Sequence, residues 1–487
     1  MTDSSSNTYP AHSIELVKGL HQYYRDCLSG PESFPDLGGY PPEVIDWAID
    51  RGTTNVIQLA EFFETLPRST LPPQQDLALR LMLFTIVHAN LASDHNNRYP
   101  GYDLPKNLVD DIKNGLSRVL ELHPTGDYIA ICVQLLYRIK EIEEVLHLSE
   151  DYPDIFARYP VLRAITGFIH TMLGKHELAL QYLEPLVQDP ALQQLPLAAL
   201  SAMTCQYRLG QTPQWPLSFD SVREDSARLP ELIERLPAFQ MLQPLSKTPR
   251  PVVFVACDTR YFFLHAVYLA YSMHAENAGK LDLHLHLYSP EPRVLDEIDR
   301  LRARLPGLAI GVSAEYGPVP LPHPPAYYAT ARFVRAHQVM QQYRCELCLM
   351  DADALFNGSW ERLTAQLTPA TELALVRPQA VPFWEEVPAG FLLCRPTPLA
   401  GQFLAKVAQF IAHNIVLGRS VWFTDQIALS VTHDMLDAGN PAFTALDPDL
   451  VIDTRHQPGA LCWMVTTVKS GMPAYDAARE RLAKRYA

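Results

Sequence analysis

The chain has 487 residues, long enough for two or three domains, and carries 54 acidic against 40 basic residues, a net charge of −14. An acidic surface repels a phosphate backbone, which excludes a general nucleic-acid binder while leaving room for a small phosphate pocket. With 48% hydrophobic and 19% charged residues the composition is that of a folded globular chain, and 41 prolines against 22 glycines predict frequent helix stops.

The first residues, Met1 to Tyr9, are Ser/Thr-rich, without the basic start and apolar core of a signal peptide. Eight cysteines (Cys27, Cys132, Cys205, Cys257, Cys345, Cys348, Cys394 and Cys462) are too sparse for a disulfide framework. No apolar run approaches the ~18 residues of a membrane span. Together these predict a cytoplasmic, reducing setting and no transmembrane segment.

From about Pro41 to Leu242 apolar residues recur at helical intervals, as in Val44-Ile45-Trp47-Ala48, Val56-Ile57-Leu59 and Leu77-Leu79-Leu81-Phe84-Val87. Arg51-Gly52, Pro72-Pro73 and Tyr99-Pro100-Gly101 mark the breaks. The pattern predicts an all-α domain over residues 1–245. Within it, Gly167 and Gly174 followed by Ala179, Leu183 and Pro190 resemble a tetratricopeptide helix pair, small residues letting two helices approach closely. Pro196 to Gly210 offers a following helix and Tyr128 to Pro153 a degenerate preceding pair, so a tetratricopeptide-like array is expected at about 127–210; an ordinary helical bundle is the alternative. Gln211 to Pro251, with seven prolines, reads as the connection to a second domain over 246–487.

There the rhythm changes. Val252 to Cys257 is a continuous apolar run of the kind a buried parallel strand shows, and Leu281 to Leu287 alternates with period two. Helices are predicted over Leu264–His274, Val294–Leu305 and Ala329–Tyr343, and further strands over Leu308–Val312 and Leu347–Met350. Strand–helix alternation predicts a mostly parallel, Rossmann-like α/β sheet covered on both faces, with ligands at the carboxyl ends of its strands.

Where the strand Leu347–Met350 stops, Asp351-Ala352-Asp353 sets two carboxylates two residues apart. Both aimed into a crevice, they would make a hard-oxygen site for Mn²⁺ or Mg²⁺, with substrate phosphates completing the shell. Cys345 and Cys348 have zinc-ligand spacing but no second pair, and read as buried thiols. His284 and His286 share a strand face with no third ligand in register, and read as strand histidines.

Asp351-Ala352-Asp353 in this position resembles the metal motif of nucleotide-sugar glycosyltransferases of the GT-A type. The resemblance runs from about Pro251 to Gly471. Tyr328-Ala329-Thr330-Ala331-Arg332-Phe333 resembles the arginine-bearing helix start of glycogenin-like transferases. Pro388-Ala389-Gly390-Phe391 resembles their Asn-x-Gly strand with the Asn missing, and Trp422-Phe423-Thr424-Asp425-Gln426 their Asp-Gln element. Val468-Lys469-Ser470-Gly471 stands where a late basic residue meets the diphosphate, while the third metal ligand, a histidine, has only the distant His456 as a candidate.

The resemblance implies a GT-A-like domain holding Mn²⁺ or Mg²⁺ on Asp351 and Asp353 and a nucleoside-diphosphate sugar donor on Asp258, Arg332, Asp351, Gly390, Gln426 and Lys469. If the reaction inverts configuration, Asp425 is the first choice for the catalytic base, with Glu385 and Glu386 as runners-up; a retaining reaction needs no base there. The expected acceptor is a protein presented by the helical domain, and a homodimer is one assembly option. Two alternatives stand beside this: an inactive interaction scaffold, and a transferase acting on a glycan or lipid-linked acceptor.

Overall fold

The structure, a computed structural model, describes residues 38–41, 43–44, 48, 64–65, 69–98, 104–189, 196–246, 250–379, 381–437, 439–465 and 472–487. It divides into two compact units, Met1–Gln211 and Thr212–Ala487. Several predicted features lie outside the described residues: the segment Val56 to Leu59, the break at Arg51-Gly52, and Lys469 with its neighbours.

Among the described residues the first unit contains helices and no strand. They are α1 (Pro73–Arg98), α2 (Lys106–Leu122), α3 (Gly126–Arg138), α4 (Ile142–Asp151), α5 (Pro153–Arg158), α6 (Pro160–Met172), α7 (His176–Gln188) and α8 (Pro196–Arg208). Prolines begin α1, α5, α6 and α8, where a missing N–H costs nothing. Ala179, Leu180, Leu183 and Leu186 of α7 recur at helical spacing and bury against Ala164 of α6 and Ala198, Ala202 and Cys205 of α8.

The turns after α3, α6 and α8 are alike. Lys140, Gly174 and Gly210 each have positive φ (68°, 71° and 76°). The next residue in each case donates its N–H to the carbonyl five positions back: Glu141 to Leu136, Lys175 to His170, and Gln211 to Gln206, all at 2.9 Å. This is a Schellman stop, in which a left-handed residue turns the chain back on the helix it leaves. The three stops fall 34 and 36 residues apart.

The second unit is built on an eight-stranded sheet of order β1-β4-β3-β2-β5-β8-β7-β9. The strands are β1 (Phe239–Gln243), β2 (Val252–Asp258), β3 (Asp282–Tyr288), β4 (Ile310–Glu315), β5 (Leu347–Met350), β7 (Leu373–Val376), β8 (Phe391–Cys394) and β9 (Phe443–Leu446). A separate ribbon pairs β6 (Leu355–Phe356) with β10 (Cys462–Trp463). Only β1 and β8 run against the others, so the sheet is mostly parallel. The unit's α-helices of six residues or more are α9 (Leu229–Glu234), α10 (Val267–Asn277), α11 (Pro292–Arg304), α12 (Pro324–Tyr343), α13 (Pro398–Val416), α14 (Thr424–Leu436) and α15 (Pro473–Arg485), among the described residues. Its core joins Val253, Val255 and Cys257 of β2 with Leu283, Leu285 and Leu287 of β3, Ile298 and Leu301 of α11, and Cys348 and Met350 of β5.

The chain winds from β2 through β3 to β4 in one direction, then returns through α12 to place β5 on the other side of β2. The strand order therefore reverses between β2 and β5, the position at whose carboxyl ends parallel sheets take their ligands. Asp258 ends β2, and Asp351 follows β5.

One expectation changes. The proline-rich stretch after Gln211, read as a connection, belongs to the second unit: its residues 239–243 form β1, antiparallel to β4, and Ser218 exchanges backbone hydrogen bonds with the Asn414 side chain of α13 at 2.8 and 3.0 Å. The period-two run Asp282–Tyr288 is buried along its whole length, as a sheet covered on both faces requires. The leucines enter the core, while His284 and His286 both meet Ser313 Oγ, at 2.8 and 2.9 Å. His284 also meets the Tyr343 hydroxyl at 2.8 Å, and Arg335 donates to Glu315 at 2.7 Å beside His286.

Two measurements follow from this packing. A Cβ on Gly167 would stand 2.4 Å from Leu183 Cδ2, inside a fully buried contact. Gly167→Val should therefore destabilise the first unit by about 1–3 kcal/mol through overpacking, partly recovered by Leu183→Ala, as read by chemical denaturation. Burial pushes the His284 imidazole down to about 3. Because its folded value is depressed, its contribution is full above the unfolded value of ~6.5 and is lost as pH falls towards 3, by up to ~1.4 kcal/mol per pH unit. Imidazole NMR should find His284 neutral at pH 5; a charged ring there contradicts the buried network.

Candidate active site

The site grows from the end of β5. The apolar run Leu347–Met350 is wholly buried, and the chain emerges as Asp351-Ala352-Asp353, Ala352 buried and both acids partly buried. The Asp351 N–H donates to the Gly390 carbonyl at 3.3 Å, tying this loop to the residue that opens β8. A Cβ on Gly390 would lie 3.2 Å from Asp351 Oδ2, so the glycine leaves the space that the carboxylate fills.

Arg332, on α12, is the hub. Its side chain is about 10% exposed and its guanidinium forks three ways: to the Asp351 carboxylate, to the Ala389 carbonyl at 3.0 Å, and to Asp425 Oδ2 at 3.4 Å. Asp351 and Asp425 hold the group charged against the cost of its burial. Its Nε is buried and has no hydrogen-bond partner among the described residues. Three turns of sequence reading thus meet on one side chain: the acidic pair after β5, the segment before β8 and the start of α14.

Asp425 lies in the first turn of α14, where its Oδ1 accepts the Gln426 N–H at 3.0 Å. Burial raises its carboxyl above the usual range, with Arg332 pulling it back. Asp353 is pushed up to about 7, first by burial and then by the neighbouring charge of Asp351. Two crowded carboxylates of which one holds its proton so readily make a place where positive charge is favoured. The donor set is all oxygen, which fits Mn²⁺ or Mg²⁺ with phosphate oxygens supplying further ligands.

Asp258 is fixed at the end of β2, its Oδ1 accepting the Tyr261 N–H at 2.8 Å as the cap of the helical turn that leads to α10. Burial raises its carboxyl as well. Gln426 is half-buried beside Asp425. Glu385 and Glu386 sit on and just after the short 3₁₀ turn Phe383–Glu385, which packs on α14. Lys469 lies outside the described residues. His456 does not join the acids: its Nε2 meets the Met464 carbonyl at 2.9 Å, and no group of three His, Cys, Asp or Glu side chains able to hold a metal occurs among the described residues. Cys345 and Cys348 are buried free thiols.

Sequence reasoning missed Tyr475 of α15, whose hydroxyl donates to the Asp353 carbonyl at 2.9 Å, and the Ala389 carbonyl that receives Arg332. A carbonyl contact leaves no trace in residue type, and Tyr475 stands 122 positions from its partner.

No protein-family model matches the chain, and no curated protein does. Among solved structures, the bifunctional glycosyltransferase WbbM is similar at 12% identity and TM-score 0.36, over 50% of this chain and 51% of WbbM. The galactosyltransferase LgtC, in complex with donor and acceptor sugar analogues, is similar at 10% identity and TM-score 0.33, over 47% and 95%. The glycosyltransferase GlyE of Streptococcus pneumoniae TIGR4 is similar at 16% identity and TM-score 0.34, over 48% and 60%. The chain thus spans about half the length of WbbM. No described helix is long and apolar enough to cross a membrane.

Arg332 neutralises Asp425 in a buried setting, so its removal leaves a carboxylate uncompensated. Arg332→Ala should lower stability by about 3–5 kcal/mol in denaturant titrations. A loss confined to ligand affinity, with unchanged stability, would show that the fork carries no structural charge pair.

Proposed function

We propose that the second unit is a metal-dependent glycosyltransferase of the GT-A type that moves a sugar from a nucleoside-diphosphate donor to an acceptor hydroxyl. One observation carries the reading: two carboxylates at the carboxyl end of β5, beside the strand-order reversal, linked through one buried arginine to a third carboxylate at a helix start. Crevices in this position of parallel sheets take nucleotides.

In the transfer the acceptor oxygen bonds to the anomeric carbon while the bond from that carbon to the diphosphate oxygen breaks. The bonding pair leaves with the nucleoside diphosphate, and the hydroxyl proton passes to a carboxylate. Asp351 and Asp353 would hold Mn²⁺ or Mg²⁺, which when bound supplies positive charge to the departing diphosphate. Arg332 keeps Asp351 oriented and adds charge to the same end of the cleft. Asp258 and Gln426, with Gly390 leaving room at the acids, would line the donor site, and Lys469 would reach the diphosphate. Asp425 is assigned the proton, because burial strengthens it as a base.

The first unit is assigned a tetratricopeptide-like array that grips the acceptor, a protein. The Schellman stops at Lys140, Gly174 and Gly210, 34 and 36 residues apart, and the contact of Gly167 with Leu183 support that assignment. Stacked helix pairs make an extended surface suited to a polypeptide.

The donor can be found by thermal shift. UDP-glucose, UDP-galactose and UDP-N-acetylglucosamine, each with and without Mn²⁺, should raise the melting temperature of the full chain for one member only when the metal is present; ligand at a hundredfold its Kd adds ~2.7 kcal/mol to the native state. Asp353→Asn should abolish the metal-dependent rise and cut transfer about 100-fold or more, the scale of losing one electrostatic stabiliser of the transition state. Full turnover in excess chelator would overturn metal dependence, and no shift or turnover with any nucleotide would return the chain to the scaffold alternative.

A further inference from the structure

The turn that delivers Asp425 has an unusual neighbour. Trp422 is 58% exposed, the most exposed of the large apolar side chains described, three residues before the carboxylate assigned the proton. A tryptophan left in water gives up more burial than any other side chain would, so its position calls for a partner.

The turn beneath it is stiff. Thr424 Oγ accepts the Val421 N–H at 2.9 Å and donates to the Val421 carbonyl at 2.7 Å, closing the chain around Trp422 and Phe423. Phe423 has φ 76°, in the left-handed region that a bulky aromatic residue rarely adopts. Strained backbone persists where the surroundings over-determine it, and such places gather at ligand sites. Ahead of the turn, Arg419 donates to the Gln214 carbonyl at 2.7 Å, tethering a second loop whose Trp215 is 41% exposed. Two exposed indoles therefore stand on loops joined to each other, and one of them is continuous with the start of α14.

We propose that Trp422 is the platform on which a hexopyranose ring of the acceptor lies, so that the hydroxyl presented to Asp425 belongs to a sugar already carried by the acceptor rather than to a serine or threonine. The assignment rests on the glycosyltransferase reading. A pyranose offers a face of C–H groups to an indole and hydroxyls at its edge to polar side chains. The broad, rigid indole meets the first demand, and Asp425 and Gln426, next along the chain, meet the second. Trp215 would extend the same track to a further ring.

The test uses saturation-transfer NMR on the full chain with methyl β-D-glucopyranoside, methyl β-D-galactopyranoside and maltose, alongside the melting-temperature rise with UDP-sugars and Mn²⁺. Wild type and Trp422→Phe should transfer saturation to the ring protons of at least one glycoside, and Trp422→Ala should lose it. The donor-induced thermal shift should be the same in all three. In transfer assays Trp422→Ala should raise the acceptor KM at least tenfold. Equal saturation transfer in Trp422→Ala, or glycosylation of a serine/threonine peptide at equal rates by wild type and Trp422→Ala, overturns the platform alone. Absence of any donor shift in wild type overturns the transferase reading and the platform with it.

Discussion

The candidate site depends on one buried cation. Arg332 is reached by three segments that are far apart in sequence, the loop after β5, the residue before Gly390 and the first turn of α14, and each offers it an oxygen. A guanidinium suits this role because its planar fork gives several donors in fixed directions and keeps its charge when buried. An ammonium could neutralise one carboxylate but could not aim at two carboxylates and a carbonyl together. The geometry of Asp351, and through it of the acidic pair, is set by a group that belongs to a helix rather than to the loop itself.

That arrangement divides the labour between the acids. Asp351 is compensated by Arg332, whereas Asp353 has Asp351 as an unfavourable neighbour and is pushed up to about 7. Asp425 shares the arginine but sits deeper, and burial outweighs the compensation. Burial thus raises both Asp353 and Asp425, in one case against a neighbouring negative charge and in the other against the pull of Arg332.

Much of the parallel part of the sheet was legible, because its strands carry a strong signal. Leu347–Met350 was bounded correctly by four apolar residues ending on an acid, and Val252–Cys257 stopped one residue short of the observed end. The edges were not legible. Phe239–Gln243 is a half-exposed strand among prolines, and it takes its place by pairing with β4, some 70 residues further on, and by stacking Phe239 on His286. Leu373–Val376 and Phe443–Leu446 are four residues each, too short for any period to show. In the site, Asp351, Asp353, Arg332 and Asp425 could each be singled out from local context. That the Arg332 guanidinium joins Asp351 to Asp425 is a property of where the fold places α12, which no local pattern contains. Histidine 456 illustrates the converse: its residue type invited a ligand role, while the fold spends its Nε2 on a backbone carbonyl.

The same contrast explains the second polar cluster beneath α12. Arg335 stands one helical turn from Arg332 and is also buried, but it faces Glu315, Gln338 and the Pro237 carbonyl, at 2.7, 2.9 and 2.6 Å. There the Arg335 guanidinium is matched by the Glu315 carboxylate, and burial holds the neighbouring imidazoles towards the neutral form. Around Arg332 the bookkeeping differs. Two carboxylates compete for one cation, a third stands within two residues, and the arginine's own Nε is left without a partner. An excess of negative charge held rigidly at the carboxyl ends of parallel strands is costly in a folded protein, and it is tolerated where a positively charged ligand restores the balance. Of two arginine clusters on one helix, the one around Arg332 carries the excess of carboxylates.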